Sequence, residues 1–184
     1  MLRWGWLLLA GLSGGLWADE SVRVCHGYGC NFQVAVRYTE GQLGQIRRML
    51  LAATDAATER SVLAVAIGRL YGWAGEQSDI HNDRGGNYAD DNVSGKMDCI
   101  DHSTSTTRLL HLLARRGYLR WHRVLETDSR NFAGIVPVHW SAVIEEKRDD
   151  EHRRFVIDSW FVDNGQPAVI LPLDEWKKGA GPDV

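Results

Sequence analysis

The chain lacks several features that would place it in a large functional class. It has no long basic stretch, and its formal net charge is −3, so no nucleic-acid partner is expected. It has no internal repeat and no low-complexity linker, and proline is scarce, with 4 residues among 184. Because 44% of the residues are hydrophobic, the chain is predicted to be globular, with the length of one domain.

A long apolar run is also missing, although the N-terminus is apolar. The segment "MLRWGWLLLAGLSGGLWADE" has one early positive charge, a short apolar stretch and then small residues, which is typical of a secretory signal peptide. We predict a signal peptide over 1–18, a single domain over 19–184, and a periplasmic or secreted protein. The alternative is an uncleaved anchor, but the run is too short for an ordinary membrane span, so no stable span is expected after cleavage.

Cysteine is rare, with only three residues: Cys25, Cys30 and Cys99. In an exported protein two nearby cysteines tend to form a disulfide. Cys25 and Cys30 have Gly27 and Gly29 between them, which makes a tight turn easy. We predict a Cys25–Cys30 disulfide, with metal binding through His26 as the alternative. Cys99 is then the single free thiol.

The pattern along the chain changes from helices to strands. After one early strand, apolar periodicity predicts several helices, the last one beginning near Cys99 and ending near Arg116 at Gly117. A polar loop over 75–97 precedes it, and loops of this length are usually functional or disordered. The pattern favours an α+β fold, with a strand over 31–39, helices over 42–53, 55–73 and 99–116, and strands over 119–126, 135–146, 153–161 and 168–173.

The Cys99 helix has an unusual composition for a helix. Five consecutive residues, 103–107, are Ser or Thr, which form helices poorly, and Cys99 stands at the front between Asp98 and Ile100. A helix N-terminus favours the thiolate form of a cysteine, which is the nucleophilic form. The carboxylate of Asp98 opposes this effect unless it faces elsewhere.

Two strands carry a histidine and an aspartate that complete a candidate site. If the turn "KRDDEHRR" is centred between Arg148 and Asp149, His139 lies opposite Asp158 in an antiparallel hairpin. In such a pair the His can act as a general base and the Asp can orient its ring. We therefore predict a catalytic triad of Cys99, His139 and Asp158. Taken singly, each residue is more often structural: a small core thiol, a core histidine, or a turn aspartate.

These residues and their setting resemble the transglutaminase-like cysteine peptidase superfamily, especially its exported bacterial transglutaminase-like cysteine proteinase group. The resemblance covers about residues 43–173 and rests on three motifs: Cys99 on the helix closed by "RRGYL", His139 in "VHWSAVI" and Asp158 in "FVIDSWF". It implies a papain/transglutaminase-like core, with N-terminal helices and a nucleophile helix packed on an antiparallel sheet. Ile100 stands where the group has an acidic residue.

The resemblance implies a cysteine peptidase or amidase that acts on amide bonds of protein or peptide substrates through a thioester intermediate. The alternatives are a transamidase and a catalytically inactive binding or interaction domain of the same fold. Trp140 and Trp160 flank the His and the Asp, and core packing is preferred to substrate stacking for both.

No cofactor is predicted for the reaction, and calcium is the one cofactor considered. Carboxylates at irregular loop spacing suit a hard cation, and the segment 79–101 contains six: Asp79, Asp83, Asp90, Asp91, Asp98 and Asp101. His102 follows Cys99 by one helical turn. It is interpreted either as a group that supports the site or as half of a Cys-x-x-His metal pair.

Overall fold

The protein combines helices with antiparallel sheet and has an α+β fold. The computed structural model describes residues 18–86, 90, 92–131, 138–147 and 151–182. Within them the strands are β1 (Glu20–His26), β2 (Phe32–Tyr38), β3 (His122–Val124), β4 (Asp128–Arg130), β5 (His139–Glu146), β6 (Arg154–Asp158) and β7 (Val169–Pro172). The α-helices are α1 (Glu40–Leu51), α2 (Ala56–Gly75), α3 (Cys99–Arg115) and α4 (Leu173–Lys177), and a short 3-10 helix covers Asp79–Asn82. The predicted signal peptide lies outside the described residues except for Ala18.

The strands form two antiparallel sheets, and α3 contacts both of them. The larger sheet has the order β3-β5-β6-β7, with β4 also paired to β5, and β1 pairs with β2 in a separate hairpin. Helix α3 packs against both β5 and β1. The main core fills the space between these elements and includes fully buried side chains from α1, α2, α3 and β5, namely Ile46, Ile67, Leu110 and Ile144. The helix that begins with Cys99 is therefore central in the fold.

The predicted hairpin register is wrong by two residues. Strands β5 and β6 pair with Ala142 opposite Ile157 and Val143 opposite Val156, so His139 does not lie directly opposite Asp158. A shift of two residues leaves every side chain on its original face of the sheet. His139 and Asp158 therefore still face the same side. The predicted turn centre falls on 148–150, outside the described residues.

The predicted helices are confirmed with small changes at their ends. Thr39 caps α1 and Asp55 caps α2 by accepting the Thr58 amide N–H. Helix α3 begins at Cys99, as predicted, and ends one residue early, so that Arg116 is the C-cap. Gly117 follows with φ at +71°, the left-handed conformation that terminates many helices.

Four elements were not predicted. Strand β1 completes a hairpin whose second strand was expected over 31–39, and the 3-10 helix lies inside the expected loop 75–97. Strand β4 lies between the expected strands 119–126 and 135–146, and α4 follows the last strand. The outer strands are shorter than expected, with β3 reduced to His122–Val124. No helix among the described residues is long and apolar enough to cross a membrane.

Candidate active site

The N-terminus of α3 presents the free thiol. Cys99 occupies the first helical position, is half-buried and is the free cysteine of the chain. Asp98 caps the helix: its Oδ1 accepts the amide N–H groups of Ile100 and Asp101 at 3.0 and 2.9 Å. The Asp98 carboxylate is thus engaged by backbone donors of the helix. Because Cys99 is the first residue of the helix, its backbone N–H has no hydrogen-bond acceptor within the helix.

The Ser/Thr run of α3 connects the helix to its neighbours. Ser105 Oγ accepts the amide N–H of Cys25 at 2.8 Å, and Thr106 Oγ1 lies 3.0 Å from Ser159 Oγ. Both hydroxyl groups are buried, so these hydrogen bonds are shielded from water. The poor helix formers in this segment supply polar contacts that fix the helix to the hairpin and to the large sheet.

His139 and Asp158 form a direct hydrogen bond at the other side of the site. His139 Nε2 lies 2.7 Å from Asp158 Oδ2, and because a carboxylate only accepts, Nε2 carries the proton. The same oxygen accepts the indole N–H of Trp176 at 3.0 Å, and Oδ1 accepts the Trp160 amide N–H at 3.3 Å. Asp158 is 1% exposed, so these donors replace the water that would otherwise hold its charge.

The structure brings Cys99 to the same imidazole. The Cys99 thiol interacts with the His139 imidazole, and since Nε2 faces Asp158, the ring nitrogen left for the thiol is Nδ1. The thiol also lies 3.7 Å from the carbonyl oxygen of Val138. Burial opposes protonation of His139, but its hydrogen bond to Asp158 and its electrostatic interactions with Asp158 and Cys99 outweigh burial and raise its pKa to about 9. The Cys99 thiol and the Asp158 carboxylate therefore both act on the His139 imidazole.

Aromatic rings enclose the imidazole. The ring centroids of Trp160, Phe161 and Trp176 lie 4.9, 5.5 and 5.7 Å from that of His139. Trp160 is buried at 4% exposure, in line with the predicted packing role. Low local polarity strengthens the electrostatic interaction between His139 and Asp158. Ile100 and Val138 remain exposed beside the thiol.

The predicted Cys25–Cys30 disulfide is confirmed, and its loop lies on the N-terminal turn of α3. The amide N–H groups of Tyr28 and Cys30 donate to the two carboxylate oxygens of Asp101, at 2.8 and 2.7 Å. The N–H of Gly29 donates to Asp98 Oδ2 at 2.8 Å. The disulfide loop is therefore attached directly to the turn that carries Cys99, a contact that sequence reasoning missed.

The aspartates considered for calcium have partners within the chain. Asp79 accepts the hydroxyl of Ser94 and Asp90 that of Tyr28, while Asp83 pairs with His102. Asp98 and Asp101 accept backbone N–H groups as described above, and Asp91 lies outside the described residues. Within the described part of the chain, one group of three potential ligands occurs, Cys25, Cys30 and Asp101, and its two sulfurs are joined in the disulfide. The alternative of a Cys-x-x-His metal pair is not favoured either, because both His102 ring nitrogens have hydrogen-bond partners.

Trp176 is the site residue that sequence reasoning missed. It lies on α4, a five-residue helix with no periodic pattern to reveal it. Its only signal is an isolated Trp in an otherwise polar C-terminal segment, which does not identify a partner. The Arg130 guanidinium donates a hydrogen bond to the Trp176 carbonyl oxygen at 2.7 Å and so helps to fix α4 in place.

Comparison of the chain with family models, with curated proteins and with solved structures found no match. The resemblance to transglutaminase-like cysteine peptidases therefore stays a prediction.

The raised pKa of His139 predicts an observable titration. We expect the His139 imidazole to keep its proton through neutral pH and to lose it near pH 9, whereas an ordinary histidine titrates at about 6.5. NMR of the imidazole nitrogens measures the midpoint, and loss of the signal in His139→Gln assigns it among the 7 histidines. A midpoint at the ordinary value would contradict the interactions of His139 with Asp158 and Cys99.

Proposed function

We propose that the protein is an exported cysteine hydrolase of transglutaminase-like type that cleaves amide bonds in protein or peptide substrates. The observation that carries this proposal is that the half-buried Cys99 thiol and the buried Asp158 carboxylate both act on the His139 imidazole. A nucleophile, a base and the group that orients the base are the elements of acyl-transfer catalysis. The proposal includes a papain/transglutaminase-like core, supported by the packing of α3 on the antiparallel sheet.

The chemistry follows from the order of these groups. In the resting enzyme the thiol proton is already on His139 Nδ1, and the thiolate of Cys99 attacks the amide carbonyl carbon, so that a C–S bond forms and the carbonyl π electrons move onto oxygen. The backbone N–H of Cys99 is a donor for this oxyanion, because it has no partner within the helix. The C–N bond then breaks as the imidazolium returns its proton to the leaving amine, which leaves a thioester.

Hydrolysis of the thioester restores the thiol. His139 removes a proton from water, the hydroxide attacks the thioester carbon, and the C–S bond breaks to give a carboxylic acid and the Cys99 thiolate, which regains the proton. Asp158 keeps the imidazole oriented in both stages and stabilises its charged form. If an amine enters in place of water, the same steps give transamidation.

Export is part of the proposal and is supported by the disulfide. Disulfides persist in oxidising compartments and are rare in the reducing cytosol. A Cys25–Cys30 disulfide together with the apolar N-terminal segment therefore suits a periplasmic or secreted location.

Alkylation of Cys99 tests the proposed thiolate without knowledge of the substrate. Because the other two cysteines are bridged, iodoacetamide without reductant reports Cys99 alone. We expect the native protein to be alkylated at pH 6–7 at least about 10-fold faster than the unfolded protein, since the thiolate is the reactive form. Native labelling that is slower than unfolded labelling would favour a non-catalytic binding domain instead.

The reaction itself is tested in cells. Peptides recovered from the exported fraction of cells with the wild-type protein are compared with those from cells with Cys99→Ala. We expect new peptide termini that depend on Cys99. Wild-type-specific isopeptide cross-links would indicate a transamidase, and identical peptide sets would contradict amide chemistry on exported proteins.

A further inference from the structure

A second buried network lies directly behind the candidate site. His102 Nε2 lies 3.0 Å from Asp83 Oδ2, and His102 Nδ1 lies 2.9 Å from Ser159 Oγ. Asp83, His102 and Ser159 are 1%, 4% and 4% exposed. Together they have the composition of a serine hydrolase triad, but burial on this scale leaves no access for a substrate. These three residues therefore act through the parts of the fold that they connect.

The hydrogen bonds of this network all run in one direction, toward the Asp83 carboxylate. The Asp83 carboxylate only accepts, and it also accepts the Met97 amide N–H at 2.8 Å, so His102 Nε2 donates to it. In a neutral imidazole Nδ1 then accepts the Ser159 hydroxyl proton. Ser159 Oγ in turn accepts from Thr106 Oγ1 at 3.0 Å, and the Tyr71 hydroxyl lies 3.0 Å from that Thr106 oxygen. Each polar side-chain atom in this chain thus has a partner.

The network joins the two halves of the triad. His102 and Thr106 lie on α3, with His102 one helical turn after Cys99. Ser159 is the residue immediately after Asp158 at the end of β6. The hydrogen bond between His102 and Ser159, beside that of Thr106, therefore ties the helix that carries the nucleophile to the strand end that carries the carboxylate.

We propose that His102 is a positioning residue that sets the separation between Cys99 and the His139–Asp158 pair through its hydrogen bond to Ser159, with Asp83 fixing the orientation of the His102 ring. The inference rests on the proposed function. The sheet holds His139 and Asp158 on neighbouring strands, but Cys99 lies on a different layer, so its distance to the imidazole depends on helix-to-sheet contacts. A displacement of about 1 Å at such a contact can lower a reaction rate by about 100-fold.

Another buried histidine gives a matched control. His122 is fully buried, its Nδ1 lies 2.9 Å from Glu59 Oε1, and it pairs with Glu146 at the far end of β5 from His139. Glu146 lies seven positions along the strand from His139, or about 23 Å at about 3.3 Å per residue. A substitution at His122 therefore disturbs a similar buried His–carboxylate pair without touching the link between α3 and Ser159.

The test compares Cys99 alkylation by iodoacetamide from pH 5 to 9 in the wild type, Ser159→Ala, His102→Leu, His102→Asn and His122→Leu, each checked for native circular dichroism. We expect Ser159→Ala and His102→Leu to slow labelling at pH 6 by at least about 10-fold and to move the profile toward that of an ordinary thiol. The Asn side chain in His102→Asn can still reach Ser159 but not Asp83. This variant should therefore keep most of the wild-type rate of Cys99 labelling. His122→Leu should lower thermal stability and leave the profile unchanged.

The outcomes separate the two proposals. A wild-type profile like that of an unfolded cysteine would overturn the proposed function itself. A wild-type profile with fast labelling at low pH that persists in Ser159→Ala and His102→Leu would overturn only the positioning role. The positioning role also fails if His122→Leu slows labelling as much as His102→Leu, or if His102→Asn restores nothing, because either result would reflect general loss of stability.

Discussion

Asp158→Asn is expected to lower amide hydrolysis by about 10⁴-fold, the loss seen when the aspartate of a serine triad becomes asparagine. The carboxylate accepts the His139 Nε2–H and the Trp176 indole N–H on Oδ2 and the Trp160 amide N–H on Oδ1, so both oxygens act as acceptors. An amide cannot supply two acceptor oxygens, and it carries no charge to stabilise the imidazolium. The ring then loses both its preferred tautomer and its raised pKa, while the side-chain volume stays nearly constant.

Two measurements check this without a known substrate. The NMR titration midpoint of His139 should fall from about 9 toward the ordinary value of about 6.5, and Cys99 alkylation at pH 6 should slow accordingly. Asp163→Asn is the matched control, because Asp163 is an exposed aspartate of the following loop that accepts the Gly85 N–H. If the titration midpoint of His139 is unchanged in Asp158→Asn, Asp158 is not the residue that supports the imidazole.

Glu59→Ala is expected to have the largest effect on stability, about 3–5 kcal/mol, as for removal of one partner from a buried charged network. Glu59 is fully buried on α2. Its carboxylate accepts three consecutive backbone N–H groups, those of Arg120, Trp121 and His122, as well as His122 Nδ1. Truncation leaves all four donors without this acceptor in the interior, and each unsatisfied group is costly.

Chemical denaturation measures this loss. Glu76→Ala, at the exposed C-terminal end of the same helix, should change the unfolding free energy by less than about 0.5 kcal/mol. Burial opposes ionisation of Glu59, but the hydrogen bonds from His122 and the backbone hold its pKa below the ordinary value of 4.5. Its contribution is therefore present above that ordinary value and is lost as the pH falls through the lower folded value. Wild-type protein should show this acid dependence, and Glu59→Ala should lack it.

Local patterns were sufficient to predict much of the fold and the composition of the site. The helix start at Cys99 and the end at Gly117 each depend on neighbouring residues, and such signals are readable from sequence. The pairing of His139 with Asp158 was found despite a register error, because a shift of two residues preserves the face of a strand.

The remaining features depend on contacts between distant segments. The Trp176 hydrogen bond to Asp158 requires α4 to fold back on β6, and the His102–Ser159 contact requires α3 to lie on the end of β6. No periodicity or spacing encodes these distances. His102 was recognised only as a neighbour of Cys99, since helical geometry predicts that contact and nothing beyond it.

The β1–β2 hairpin has a consequence for oxidative folding. Three cysteines allow three pairings, and two of them would consume the Cys99 thiol. Cys25 and Cys30 are five residues apart in sequence, at the end of a ladder that pairs His26 with Phe32, whereas Cys99 lies about 70 residues further along. Closing the longer loop costs about 2 kcal/mol more entropy, and hairpins form within about 1–10 μs. The local pair therefore oxidises first, and the chain reaches its native state with the nucleophile still reduced.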